Sequence, residues 1–368
     1  MEKITINLPY IQEEVFIGEN ILEEIKKNIS NEDYDKFLVV IDNQAYKKHT
    51  GYFESLFKHL DIHKSHLVFL KPKPQYKDLK RAQVIIRQLV KIGASRKTCI
   101  IAIGGGYVGD LAGFVSSIYM RGIDFIQIPT TLMSQCDGII GKVAVNFKNI
   151  KNLTGTFYSP KMIFCDIDFI KSFHKTEQLY GLAEIWKYAI LVNNSGIISD
   201  INMYLEGKKS LDYRSLINFS LLTKKYFVEN DPFDRNGHHK ALSLGHTLAN
   251  VLEADPSFRH GLAVFYDIVF ESIIANTVLK INYIKYNEII YTASLFEIYF
   301  KKLNKIKKIL CNKHTLNTLK FDKINSHGTY SFVIPTNDGY FIYRDIPTEI
   351  INKAIEKFLS LSNTFTKQ

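Results

Sequence analysis

A strand-like apolar run, Cys99 to Ile103, leads directly into Gly104-Gly105-Gly106-Tyr107-Val108-Gly109-Asp110, and a helical pattern follows from Asp110 to Ile118. No other stretch restricts the fold so strongly. A buried strand, a glycine turn and a helix, in that order, open a parallel β–α–β unit. Glycines at such a junction let backbone N–H groups approach a diphosphate, and the helix N-terminus adds a favourable dipole. A tight turn requiring positive φ selects glycine too, so the motif alone leaves both readings open.

The flanking sequence extends the pattern. Lys3 to Leu8 and Glu14 to Ile17 alternate like an antiparallel hairpin. Phe37 to Ile41, His66 to Leu70 and Ile123 to Ile128 are further strand candidates, and Lys80 to Ile92 has helical spacing of Ala82, Ile85, Ile86, Leu89 and Val90. Strands alternating with helices predict a parallel sheet covered on both faces, whose ligands bind beyond the C-terminal strand ends. Asp42, Gly104 and Thr130 fall at those ends.

From about Phe169 the pattern turns mostly helical, over Gln178–Val192, 211–229, 240–254 and 262–278. Tyr330–Pro335 and Tyr340–Tyr343 predict a hairpin around Asn337-Asp338-Gly339, followed by a final helix from Thr348 to Leu359. The expected division is an α/β domain over 1–172 and a mainly helical domain over 173–368.

With 368 residues, 46% hydrophobic and 23% charged, the chain has the makings of two cores. Its apolar runs are broken too soon to span a bilayer, and the alternating N-terminus does not read as a signal peptide. Cys99, Cys136, Cys165 and Cys311 lack metal-type spacing and are expected to be reduced thiols of a cytoplasmic protein. A net charge of +10 raises the question of nucleic acid. The densest patch, Lys301 to Leu310, carries Leu303, Ile306, Ile309 and Leu310 at helical spacing, which predicts a solvated lysine face. A phosphorylated small molecule fits the positive balance, and no nucleic-acid partner is expected.

Three helical segments carry metal-ligand residue types. Gly181-Leu-Ala-Glu184-Ile-Trp-Lys187-Tyr puts Glu184 and Lys187 on one helix face, Ser243-Leu-Gly-His246-Thr-Leu-Ala-Asn250 spaces His246 and Asn250 by four, and Arg259-His260-Gly starts a third helix. One carboxylate and two imidazoles suit a divalent cation such as zinc with open positions for substrate. Taken singly, each histidine also reads as a hydrogen-bonded core residue, and Glu184 as half of an ion pair with Lys187.

Together these segments resemble the sugar phosphate cyclases, the family of 3-dehydroquinate synthase. The resemblance covers roughly residues 30 to 345 and is densest in Gly104-Gly-Gly-Tyr-Val-Gly-Asp-Leu-Ala-Gly-Phe, Tyr119-Met-Arg-Gly-Ile-Asp-Phe-Ile-Gln-Ile-Pro-Thr-Thr-Leu and Gly181-Leu-Ala-Glu-Ile-Trp-Lys-Tyr. It implies a Rossmann-like NAD-binding domain, a helical metal- and substrate-binding domain, and a homodimer. By resemblance, NAD would meet Asp42 at its ribose, then Lys77, Gly105, Gly106, Asp110, Thr130, Thr131, Lys142 and Lys151, with Phe169 and Ser172 on the opposite wall. Glu184, His246 and His260 would hold zinc or cobalt. Asp137, Lys142, Asn152, Lys187, Lys225 or its neighbour Lys224, His239 and Asn250 would surround a phosphorylated substrate, with Arg121 reaching phosphate across a dimer.

The chemistry so implied is transient oxidation of a substrate alcohol, β-elimination of phosphate, reduction, and aldol closure to a carbocycle. Departures from the family pattern cluster on the substrate side. Ser243 stands for an Asn, Asn250 for a His, Leu262 for a Glu, and His238 or His239 for an Arg; the turn from Asp137 to Lys142 is one residue short. Replacing Arg by His weakens bidentate recognition of an anion, and losing such a contact costs about 1–3 kcal/mol. The expectation is retained cyclase chemistry. The alternatives are a cyclase for sedoheptulose 7-phosphate or glucose 6-phosphate, or a metal-dependent polyol or alcohol dehydrogenase.

Overall fold

The computed structural model describes residues 1–71, 76–138, 140–148, 150–278, 283–296, 302–312, 319 and 329–365. The chain divides into two compact units, Met1–Gln178 with Tyr213–Phe233, and Leu179–Asp212 with Asp234–Gln368.

The first unit is built on a seven-stranded sheet. The opening alternation forms the antiparallel pair β1 (Glu2–Leu8) and β2 (Ile11–Gly18). The apolar runs form β3 (Lys36–Asp42), β4 (Leu67–Leu70), β5 (Thr98–Gly104) and β6 (Phe125–Pro129). A separate antiparallel hairpin follows, β7 (Val143–Phe147) and β8 (Ile150–Thr156), and β9 (Met162–Asp166) returns to the main sheet. The order is β1-β2-β9-β6-β5-β3-β4, with every pair parallel except β1–β2.

Strands β5, β6 and β9 are buried along their whole length, as a sheet covered on both faces requires. The pleat divides their side chains between two cores: Leu38, Val40, Ile100 and Ala102 face one, and Val39, Ile41, Ile101 and Ile103 the other. The covering helices are α1 (Leu22–Ser30), α2 (Asn43–Lys48), α3 (Thr50–His59), α4 (Leu79–Lys91), α5 (Gly106–Ile118), α6 (Leu132–Cys136) and α7 (Ile167–Lys171). After β3 the chain moves outward to β4, then returns to β5 on the other side of β3. The ends of β3 and β5 therefore flank the topological switch point, where open α/β sheets bind ligands.

The second unit is mainly helical. It contains most of α8 (Lys175–Leu191), then α9 (Ser195–Leu205), whereas α10 (Tyr213–Asn230) belongs to the first unit and packs on β1 and β2. The first unit is thus discontinuous, unlike the single cut at residue 172 read from the sequence. After α10 come a 3-10 turn (His239–Ser243), α11 (Thr247–Leu252), α12 (His260–Val278), α13 (Tyr283–Leu295) and α14 (Leu303–Leu310). The hairpin β10 (Tyr330–Thr336) and β11 (Gly339–Ile346) precedes α15 (Thr348–Phe365), which outruns its expected end. Helix α12 is the hub of this unit, packed against α11, α13, α15 and β10.

Two expectations about helices are corrected. Helix α5 starts at Gly106 rather than Asp110, because the turn is only Gly104-Gly105 and Gly105 is its N-cap. The helix expected over 240–254 is broken into the 3-10 turn and α11 by Gly245 at φ +74. Hairpin β7–β8 was not foreseen. Helix α14 buries Leu303, Ile306 and Leu310 and leaves Lys305, Lys307 and Lys308 exposed, whereas Lys301 lies outside the described residues. No described helix is long and apolar enough to cross a membrane. Cys99, Cys136 and Cys165 are buried free thiols, and Cys311 is exposed.

Candidate active site

In the first unit, the ends of β3, β5 and β6 converge. Asp42, at the end of β3, caps α2, its Oδ1 accepting from Gln44 N at 2.6 Å and Ala45 N at 3.2 Å. A Cβ on Gly104 would come to 2.7 Å from Val108 Cγ2 and 3.0 Å from Asp42 Cβ, so nothing larger than glycine fits there. Gly106 differs: a Cβ on it meets nothing within 4 Å. The flank of Gly106, first residue of the 13-residue helix α5, is thus open, leaving room at the helix N-terminus for a diphosphate. Thr130 N donates to Gly104 O at 3.0 Å, and Thr131 caps α6 through a reciprocal box with Ser134.

Two further groups assemble in this unit. Lys77 Nζ lies 2.6 Å from Asp110 Oδ2 and also donates to Asn152 Oδ1 on β8. Asp110 Oδ1 accepts from Ala144 N at 3.2 Å, which ties α5 to β7. Lys77, Asp110 and Asn152, singled out separately in the sequence, are therefore one cluster. Elsewhere, Lys224 Nζ donates to Asp137 Oδ1 at 2.9 Å and to Gly138 O at 2.6 Å, holding the shortened turn. Lys225 instead pairs with Glu229, whose Oε1 accepts from Asn7 N. Of the two lysines, Lys224 is the one brought to the substrate-type residues, because adjacent helical side chains diverge by about 100°.

In the second unit, Glu184, His246 and His260 bring their ligand atoms within 4.8 Å of one another. Helix α8 is apolar nearly all round, so Glu184 is wholly buried among Leu182, Ile185 and Trp186. Its Oε1 lies 3.1 Å from His260 Nε2 and 3.5 Å from His246 Nε2, and its Oε2 lies 2.6 Å from Lys187 Nζ. Glycine makes the meeting possible: a Cβ on Gly261 would stand 2.1 Å from Tyr180 O, so α12 touches the backbone of α8 only because residue 261 has no side chain. Neither Glu184 oxygen accepts a hydrogen bond of regular geometry among the described residues. A buried carboxylate with two imidazole nitrogens aimed at it is a donor set that fits a divalent cation.

The electrostatics set the two imidazoles apart. Burial pushes the Glu184 carboxyl up, but Lys187, His246 and His260 outweigh it and hold it well below the usual range. Burial, helped by Lys187, lowers His246 to about 4, so its ring is neutral near pH 7, the form a metal ligand needs. Burial also disfavours charge on His260, yet Glu253 and Glu184 win and raise it to about 10. Glu253 Oε1 is 2.9 Å from His260 Nδ1 and fixes the ring from behind, an orienting role that carried no signal in the sequence.

The remaining candidates are scattered. His239 is buried and His238 exposed, Asn250 is exposed one turn beyond His246, and Leu262 is buried. Lys142 is exposed, and Lys151 is half-buried on β8. Arg121 is exposed in a 3-10 turn with φ +69, next to Met120 at φ +48. Phe169 is a core residue, packed on His49, Tyr52 and Phe53, and Ser172 bonds back to Phe169 O and His49.

Comparison with known proteins bears on both units. The family model for the 3-dehydroquinate synthase N-terminal region matches residues 67–179, and that for its C-terminal region matches residues 181–323. A 3-dehydroquinate synthase of Staphylococcus epidermidis is 30% identical over 354 residues, covering 94% of this chain and 96% of the relative. Among solved structures, a 2-deoxy-scyllo-inosose synthase complexed with carbaglucose-6-phosphate, NAD+ and Co2+ superposes with a TM-score of 0.79 at 20% identity, over 97% of this chain and 99% of that one. The 2-epi-5-epi-valiolone synthase of Streptomyces hygroscopicus, with NAD+ and Zn2+ bound, gives 0.80 at 18% identity, over 96% and 99%. With its two halves matched by the paired family models and a curated relative aligned along nearly its full length, the chain belongs to the 3-dehydroquinate synthase family.

Proposed function

We propose that the protein is an NAD- and divalent-metal-dependent sugar phosphate cyclase of the 3-dehydroquinate synthase type. It acts as a carbon–oxygen lyase, turning a phosphorylated keto-sugar or sugar acid into a carbocycle with release of inorganic phosphate. The observation that carries this reading is the Glu184–His246–His260 triplet with Lys187 paired to Glu184. Two structural neighbours hold NAD+ together with Co2+ or Zn2+, which supports reading the glycine turn and the triplet as the places for a dinucleotide and a cation in this chain.

Asp42, Gly105, Gly106 and Thr131 would hold the dinucleotide, and the triplet the cation. When bound, the pair supplies a reversible hydride acceptor and a Lewis acid for substrate oxygens. Transient oxidation acidifies the adjacent C–H of the substrate, phosphate leaves by β-elimination, and reduction and aldol closure follow without net redox change. Lys187 and Lys224, each held by a carboxylate, supply fixed positive charge to an anionic substrate. The resemblance adds Lys142 and Asn152, on the segment 142–152, as substrate contacts. Arg121 serves phosphate from the second subunit of a homodimer.

The test is phosphate release from three substrates: the seven-carbon phosphorylated sugar acid that leads to 3-dehydroquinate, sedoheptulose 7-phosphate and glucose 6-phosphate. Each is supplied with NAD and zinc or cobalt. Release from one of them without NADH accumulation is expected. Stoichiometric NADH would indicate a dehydrogenase, and no turnover with NAD and metal both bound would end the cyclase reading.

A further inference from the structure

We propose that Asp267 and Glu271, two buried carboxylates on α12, are positioning residues for the metal ligand His246; the proposal rests on the metal reading above. His246 occupies the N-cap of α11, with φ −121 and ψ −11, and no side chain caps that helix locally. An N-cap side chain ordinarily accepts from the N–H groups two and three residues on. The imidazole is otherwise engaged: its Nδ1 lies 3.0 Å from Leu244 O, and Nε2 faces Glu184. The missing cap comes from another helix. Asp267 Oδ2 accepts from Leu248 N at 2.8 Å and Ala249 N at 3.2 Å, the two positions a local cap would serve.

Glu271 secures the other side of the ligand. Its Oε2 accepts from Gly245 N at 2.6 Å, immediately before His246. Gly245 is at φ +74, and a Cβ there would meet Ile268 Cγ1 at 2.9 Å and Val264 Cγ1 at 3.1 Å, so this loop is pressed directly onto α12. Asp267 and Glu271 are four residues apart and lie seven and eleven beyond His260, all on one face of the helix. Helix α12 therefore carries one imidazole in its first turn and grips the backbone on both sides of the other. Both carboxylates are fully buried, and one oxygen of each accepts charge-assisted N–H bonds from the His246 segment. The spacing of the two imidazoles is set by a single rigid element.

Co2+ titration of the full-length protein, followed by visible absorption and competition with a chelator, tests this. Asp267→Ala and Glu271→Ala are expected to weaken Co2+ binding about 10- to 100-fold, as loss of groups behind a ligand does, and to alter the Co2+ spectrum. Asp267→Asn and Glu271→Gln keep an acceptor oxygen and are expected to restore most of the affinity. Ile273→Ala, in the same helix and equally buried, should lower the melting temperature and leave Co2+ affinity unchanged. Should Asp267→Ala not fold, Glu271→Ala, which removes one hydrogen bond rather than two, carries the test. Parental affinity in the alanine variants, or a loss matched by Ile273→Ala, overturns the positioning role and leaves the metal reading standing. No Co2+ uptake by the parent protein overturns both.

Discussion

Lys224 is bound to Asp137 at 2.9 Å while Lys225, next to it, turns to Glu229. Only the first of these lysines is held beside the residues that the family resemblance associates with substrate. Lys224→Met is expected to lower kcat/KM for phosphate release by about 10- to 100-fold, the worth of one charge-assisted contact. Lys225→Met removes a partly exposed i,i+4 pair and should leave kcat/KM unchanged. Equal losses in the two variants would contradict the assignment.

The triplet makes a prediction about metal content that does not depend on turnover. Glu184→Gln removes the one carboxylate while keeping its volume. Elemental analysis of protein purified without chelator should find zinc or cobalt in the parent and none in the variant. Added zinc should raise the melting temperature of the parent alone, since a ligand at 100 times its Kd stabilises the folded state by about 2.7 kcal/mol. A zinc-dependent rise of equal size in Glu184→Gln would remove Glu184 from the site.

Gly104 and Gly106 separate fold from cofactor. Gly104→Ala forces a methyl against Val108 and Asp42, and overpacking of this kind costs about 1–3 kcal/mol of stability. Gly106→Leu meets no protein atom with its Cβ and replaces glycine by a better helix former. It should melt no lower than the parent, yet bind NAD at least about tenfold more weakly, the effect of losing roughly 1.4 kcal/mol. Isothermal titration with NAD beside thermal melts reads both effects, and undiminished NAD binding by Gly106→Leu would displace the dinucleotide from this turn.

The sheet was legible because β3 and β5, buried over most or all of their length, appear as the uninterrupted apolar runs Phe37–Ile41 and Cys99–Ile103. Glu184, His246 and His260 were legible as residue types, and the resemblance joined them. Hairpin β7–β8 was not, because β8 is largely exposed and its polar and apolar residues follow no period of two. The break at Gly245 was hidden for another reason: the loop is pressed onto Val264, Ile268 and Glu271, 19 to 26 residues away, so local propensity gives no sign of it. The choice between Lys224 and Lys225 likewise depends on Asp137, 87 residues distant.

Glu13 on β2 adds a pH dependence to the first unit. It is fully buried, and burial pushes its carboxyl well above the usual range, with the Ser159 hydroxyl and Lys224 pulling the other way without prevailing. In the unfolded chain the same carboxyl ionises near its ordinary value of about 4.3. Above that pH the unfolded state sheds the proton while the folded state keeps it, so the Glu13 contribution to stability falls as pH rises, until the folded group ionises too. Below about pH 4.3 both states hold the proton and the effect vanishes. Glu13→Gln keeps the shape and removes the titration. Urea unfolding at pH 5 and pH 8 should show the variant gaining on the parent at the higher pH. A gap that shrinks with rising pH would mean that Glu13 is ionised in the folded protein and stabilised there by Lys224.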